Sequence, residues 1–81
     1  MRNKGEFKEM QKIEFELREG EEYIQLIQLL KATNVAYNGA EAQGMVSDGF
    51  VLRNGVVELR KRAKIVSGDV ITIADYEITV K

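Results

Sequence analysis

The sequence predicts an α+β fold, and three observations carry that expectation. Apolar and charged residues alternate strictly near the N-terminus. Two helical patterns follow in succession. The C-terminal third then offers an Asn-Gly hairpin signal and two further apolar runs of β character. The predicted order is strand, two helices, then three to four strands.

Residues 1–9 are polar and charged and read as a flexible arm, leaving residues 10–81 as a single domain. From Met10 to Arg18, Ile13, Phe15 and Leu17 alternate with Lys12, Glu14, Glu16 and Arg18, the period-two pattern of a strand with one buried face. Gly20 breaks it. In EEYIQLIQLLKA, Tyr23, Ile24, Ile27 and Leu30 recur at helical spacing and Leu26 and Leu29 widen the stripe. Glu21 and Glu22 are placed in the first turn of that helix, where carboxylates complement the macrodipole, and Lys31 near its end. Asn34 suits a left-handed stop.

Asn38 can cap a second, shorter helix, and Glu41 three residues on gives an Asn-x-x-Glu arrangement like a capping box. Gly39 and Gly44 weaken this helix intrinsically, so tertiary packing has to hold it. It is expected to end around Ser47-Asp48-Gly49. Phe50 to Arg53 and Val56 to Leu59 flank Asn54-Gly55, a hairpin turn in which both central residues tolerate positive φ. Val66 to Asp69 form a turn. Val70 to Ile73 and Tyr76 to Val80 are strands joined through Ala74-Asp75.

Eighty-one residues make one domain with a thin core. The chain has neither cysteine nor histidine, so disulfides and the usual zinc sites are excluded. No apolar run approaches the roughly 20 residues needed to span a bilayer, and the first twelve residues contain no signal-peptide core. A cytoplasmic protein that does not engage a membrane is the default expectation.

The net charge of −1 conceals an uneven distribution. Residues 1–22 balance to −2, residues 23–52 to −1 and residues 65–81 to −2. Residues 53–64 hold Arg53, Arg60, Lys61, Arg62 and Lys64 against Glu58, a balance of +4. Screening confines a field to roughly 8–10 Å at physiological salt, so a polyanion responds to this block rather than to the total.

Catalytic constellations are scarce. Without histidine or cysteine there is no imidazole-activated nucleophile and no thiolate chemistry. Glu21 and Glu22 point in different directions on a helix. Asp69 and Asp75 sit in turns, where aspartate serves its own backbone. Ser47 and Ser67 have no candidate base, and no glycine-rich phosphate loop is present. The expectation is a protein that is not an enzyme and needs no cofactor or metal.

The basic block reads as a binding surface. In Leu59-Arg60-Lys61-Arg62-Ala63-Lys64-Ile65 the apolar members anchor the segment while the cations project. Arginine suits forked phosphate contacts and lysine supplies a mobile charge. Asn54, at the hairpin tip, either hydrogen-bonds a phosphate or sugar or serves the turn alone. No aromatic residue lies inside the block, so base stacking of the RNP type is not indicated, and backbone and shape recognition of folded RNA fits better.

The residues Asn38-Gly39-Ala40-Glu41-Ala42-Gln43, then Ser47 to Gly55 (SDGFVLRNG), and finally Arg60 to Asp69 (RKRAKIVSGD) resemble the αL RNA-binding domain named for the small-subunit ribosomal protein S-four. The similarity spans roughly residues 21–73 and is closest to the small, free-standing bacterial members. The resemblance implies an N-terminal strand, two packed helices and a small, mainly antiparallel sheet of four to five short strands. It also implies non-catalytic binding of structured RNA, ribosomal or transfer RNA, in a ribosome-associated role. By position it marks Asn38, Arg53, Asn54, Arg60, Lys61, Arg62 and Lys64 as the RNA-binding set.

The chain departs from the family pattern in one respect. Many such domains open the second helix with Ser-Arg and carry further cations on it, whereas here those places hold Asn38-Gly39 and Gln43. Phosphate contacts would then rest on the hairpin and the basic loop, which leaves room for a ribosomal or other protein partner. The competing reading is a protein-interaction module, of β-grasp type or one that binds through a strand edge. The sulfur-carrier chemistry of β-grasp proteins needs a terminal Gly-Gly, and this chain ends Thr79-Val80-Lys81.

Overall fold

A computed structural model describes residues 10–81; the arm expected at residues 1–9 lies outside the described residues. The elements run β1 (Gln11–Phe15), β2 (Ile24–Gln25), α1 (Leu26–Ala32), α2 (Gly39–Ser47), β3 (Leu52–Arg53), β4 (Val56–Val57), β5 (Lys64–Ile65), β6 (Val70–Ile73) and β7 (Tyr76–Val80). Five strands form one sheet in the order β1-β7-β6-β3-β4. Its pairings are antiparallel except β1 with β7, which are parallel with Ile13 opposite Ile78. The expected mainly antiparallel sheet is therefore present, with a parallel edge strand. A separate two-stranded pairing joins β2 to β5.

The core lies between the helices and the larger sheet. Leu26, Leu29 and Leu30 from α1 meet Ala42 and Val46 from α2, and Val51, Ile71, Ile78 and Val80 close it from the sheet side. On β1, Ile13 and Phe15 pack against this core while Lys12 and Glu14 stay exposed, as the alternation requires. The small residues of α2 explain its survival despite two glycines. Ala42 is fully buried against α1, so packing supplies what propensity withholds.

Leu59, expected to anchor the basic segment with Ala63 and Ile65, is instead 60% exposed, and three element bounds also need correction. The first helix starts at Leu26, not Glu21; Tyr23 lies outside any helix or strand and Ile24 lies in β2. The physical reason is long-range. The Leu26 and Ile27 backbone N–H groups, two of the donors a helix leaves unpaired at its start, donate to the Ala63 and Lys61 carbonyls at 2.9 and 3.2 Å. Glu21 consequently contributes nothing to the helix dipole; its carboxylate accepts from the Arg18 N–H at 2.9 Å and closes a turn. The N-terminal strand is also shorter than Met10–Arg18, and strand β4 stops at Val57 rather than Leu59.

Other local signals held. Asn38 caps α2, its side chain accepting from the Glu41 N–H at 2.8 Å, and Glu41 reaches back to the Tyr37 N–H, one residue before the usual capping-box partner. Asn34 takes φ 63° after α1. Asn54 and Gly55 take φ 51° and 87°, the left-handed pair that a tight hairpin demands.

Candidate nucleic-acid interface

The basic segment is held from three directions. From below, β5 pairs with β2, placing Lys64 opposite Gln25 and burying Ile65. From the side, the N-terminus of α1 grips the Lys61 and Ala63 carbonyls. From the front, the hairpin and the turn after β5 are joined through Asp69.

Asp69 organises that third attachment. One carboxylate oxygen accepts from the Val66 N–H at 2.8 Å and from Arg53 Nη2 at 2.9 Å; the other accepts from Asn54 Nδ2 at 2.9 Å. Asn54 returns the connection, its Oδ1 accepting from the Val70 N–H at 2.9 Å. Arg53 Nη2 also donates to the Lys64 carbonyl at 2.8 Å. Burial pushes the Asp69 carboxyl pKa up, but the Val66 N–H, the Asn54 amide and the Arg53 guanidinium outweigh it and leave the value lowered.

Glu58 is the second buried carboxylate. Arg60 grips it through Nε at 2.9 Å, Nη2 at 3.1 Å and its own backbone N–H at 3.0 Å, and Arg53 Nη1 lies 3.6 Å away. The Arg60 side-chain hydrogen bonds hold the Glu58 carboxyl at about 2, against the opposing effect of burial. The same pair raises the Arg60 pKa. Arg60 nevertheless leaves 73% of its side chain accessible, so the pairing orients the guanidinium without hiding it.

Between these attachments Arg53, Arg60, Arg62, Ala63 and Lys64 line an open cleft of about 550 Å³. Among the described residues its charged lining is wholly cationic. Lys61 is exposed beside it, on the turn that joins Arg60 to Ala63. Five cations against Glu58 and Asp69 give this surface a net +3, one less than the contiguous sequence count, because the fold brings in Asp69 from the next turn.

Four of the seven sequence-marked residues, Arg53, Arg60, Arg62 and Lys64, thus come together around the cleft, and Lys61 adjoins it. Asn54 stands next to it with its amide engaged by Asp69 and Val70. Asn38 is not among the lining residues; its side chain caps α2. Two participants escaped sequence reasoning. Asp69 looked like an ordinary turn aspartate, and Tyr23 looked like helix core. Tyr23 instead carries Lys64 Nζ over its ring, 5.1 Å from the centroid, bringing an aromatic to a segment that has none of its own. Among the described residues no cluster of three potential metal ligands occurs, and no helix is long and apolar enough to cross a membrane.

A two-helix unit stitched to a basic loop, with an Asn-Gly hairpin latched beside it, defines a class. A family profile for the S4 domain matches residues 15–81, and the chain belongs to that family. It is similar to YbcJ of Escherichia coli (strain K12), named as a candidate RNA-binding protein, and to uncharacterised YbcJ of Shigella flexneri. Each is 36% identical over 58 residues, covering 72% of this chain and 83% of the relative. The solution structure of E. coli YbcJ superimposes with a TM-score of 0.65 at 34% identity, covering 83% of this chain and 84% of that one. It is described as revealing an αL motif involved in RNA binding. The fold is accordingly of the αL type that the sequence resembles.

Proposed function

We propose that this protein binds structured RNA, ribosomal or transfer RNA, without catalysis, through the cleft lined by Arg53, Arg60, Arg62 and Lys64. The observation that carries the reading is the all-cationic lining of a cleft whose two acidic neighbours are already consumed by internal pairs. A phosphate entering it meets the Arg62 guanidinium, the Lys64 ammonium and the part of the exposed Arg60 guanidinium that Glu58 does not hold, and among the described lining residues it meets no carboxylate. Its membership in the S4 domain family and its similarity to YbcJ support the choice of RNA as the polyanion.

The seven marked residues divide by role in this reading. Arg60, Lys61, Arg62 and Lys64 contact phosphate. Arg53 contributes charge from the cleft floor while tying the loop to Asp69. Asn54 and Asn38 position backbone, the first at the hairpin and the second at α2. The protein-interaction alternative finds no support in the topology as a β-grasp, since the chain has a second helix and the S4 domain match.

Titration of a structured RNA at several salt concentrations tests the proposal. About four phosphate contacts give a slope of log K against log salt of roughly −3 to −4. Retained affinity in Arg60→Ala plus Arg62→Ala, or no binding at low salt, overturns it.

A further inference from the structure

Away from the cationic cleft, the opposite kind of surface is built where α2 meets the β6–β7 turn. Val35, Met45, Phe50, Ile73, Ala74 and Tyr76 line an apolar hollow of about 380 Å³. Phe50 is 63% exposed, an unusual position for a large aromatic that has a core close by. A second hollow continues from it, sharing Met45 and Phe50 and rimmed by Glu41 and Asp48, both exposed. Among the described residues, neither hollow is lined by a lysine or an arginine. Polarity therefore changes along a single groove, from an apolar floor to an acidic rim.

That pattern specifies an occupant. Nucleic acid is disfavoured because phosphates would approach Glu41 and Asp48 with no cation among the described lining residues to offset them. Glu41 already accepts from the Tyr37 N–H, and a purely apolar partner adds nothing to offset the charge of Glu41 or Asp48. A polypeptide segment with one or two large apolar side chains flanked by lysine or arginine satisfies both parts at once. Its apolar residues fill the hollow against Phe50 and Met45, and its cations meet the rim. Methionine suits such a site because its flexible thioether adapts to the incoming side chain.

We infer that the groove between α2 and the β6–β7 turn is a docking site for a basic protein segment anchored by apolar side chains. The site is independent of the proposed RNA cleft: it shares no lining residue with it, and either can fail alone. A molecule with both would hold RNA on one surface and a basic polypeptide on another.

The test uses the isotope-labelled full chain and a synthetic twelve-residue peptide with a central Leu-Phe pair between lysines, followed by NMR. Two controls replace the lysines with glutamates and the Leu-Phe pair with serines. The expected result is saturable shifts at Val35, Met45, Phe50 and Tyr76 with the lysine peptide, little response to either control, and unchanged signals from Arg60 to Lys64. Glu41→Gln plus Asp48→Asn should weaken binding about fivefold, from the loss of about 1 kcal/mol of rim attraction. Both changes keep a hydrogen-bonding side chain, and Phe50→Ser alters an exposed residue and should abolish the groove response in a folded protein.

Absence of groove shifts at millimolar peptide overturns the inference, as does equal affinity for the glutamate peptide. Concentration-dependent shifts without peptide would assign the groove to a second copy of the chain. Nuclear Overhauser contacts between Phe7 and Phe50 would assign it to the chain's own first residues. Shifts of the same signals by RNA at low salt would assign it to nucleic acid. Each of these three outcomes also overturns it.

Discussion

Arg53 Nη2 lies 2.9 Å from Asp69 Oδ2 across sixteen residues of sequence, and this one contact fastens the hairpin to the turn that follows the basic loop. Both side chains are largely buried, so losing either strands a charge. Asp69→Ala removes the acceptor for Arg53, Asn54 and the Val66 N–H together. We expect a loss of about 2–4 kcal/mol, read as a lower urea midpoint at unchanged m-value. The Val66 amide should exchange with solvent faster in the variant. Arg53→Ala should cost less, because the Asp69 carboxylate keeps two of its three partners, and a double-mutant cycle should show coupling between the sites. Additive effects would show that the contact carries no energy of its own.

The pH dependence of stability follows from the two buried carboxylates. Glu58 titrates at about 2 in the folded protein against an ordinary value of 4.5, chiefly through its hydrogen bonds from Arg60. Its folded pKa is depressed, so its contribution is fully present above pH 4.5 and is lost as pH falls towards 2. Asp69 is lowered as well and acts in the same acid direction. Unfolding free energy measured from pH 5 to pH 2 should therefore decline, and Glu58→Gln should flatten that decline while lowering stability at neutral pH. A carboxyl carbon titration placing Glu58 near its ordinary value would contradict the assignment.

Much of the fold was legible because its signals are local. The alternation of Ile13 and Phe15 with Lys12 and Glu14 placed β1, Asn38 and Glu41 placed the start of α2, and Asn54-Gly55 placed the hairpin. The start of α1 was not legible. Tyr23 and Ile24 lie at helical spacing with Ile27 and Leu30, but the long-range pairing of Ile24 with Ile65 and of Gln25 with Lys64 keeps residues 24 and 25 extended. The candidate site divides in the same way. Its cations are contiguous in sequence and were found by counting charge. Its organisers, Asp69 and Glu58, act through partners that only folding brings together in the first case and through an ion pair two residues apart in the second. Nothing in a Gly-Asp turn signals that its carboxylate will hold an arginine sixteen positions earlier.

Asn54 and Arg62 separate architecture from contact. The Asn54 amide is engaged at both ends by Asp69 and the Val70 N–H, whereas Arg62 lines the cleft and is exposed. Asn54→Ala should lower stability by about 1–2 kcal/mol through the lost hydrogen bonds and the strain of φ 51°. At saturating fold it should leave the salt slope of RNA binding nearly unchanged. Arg62→Ala should leave the unfolding midpoint within about 0.5 kcal/mol of the parent and reduce the magnitude of the slope by about one. Measuring both quantities on both variants checks the division; a slope change in Asn54→Ala equal to that in Arg62→Ala would place Asn54 on the phosphate.

Asn38 gives the last prediction, because it stood among the sequence-marked contacts and lies outside the cleft lining. Its side chain caps α2 by accepting from the Glu41 N–H, and α2 carries two glycines in nine residues, so the helix has little intrinsic stability to spare. Asn38→Ala should cost about 1 kcal/mol, while Asn38→Asp, which retains the acceptor and adds negative charge at the helix start, should match or exceed the parent. The two substitutions also separate capping from RNA contact. A cap role predicts that Asn38→Asp binds structured RNA as the parent does, since the altered residue is not among those lining the cleft. A phosphate contact predicts a marked loss, because a carboxylate would then face the backbone it was meant to grip. Thermal unfolding together with an RNA titration at fixed salt decides between them.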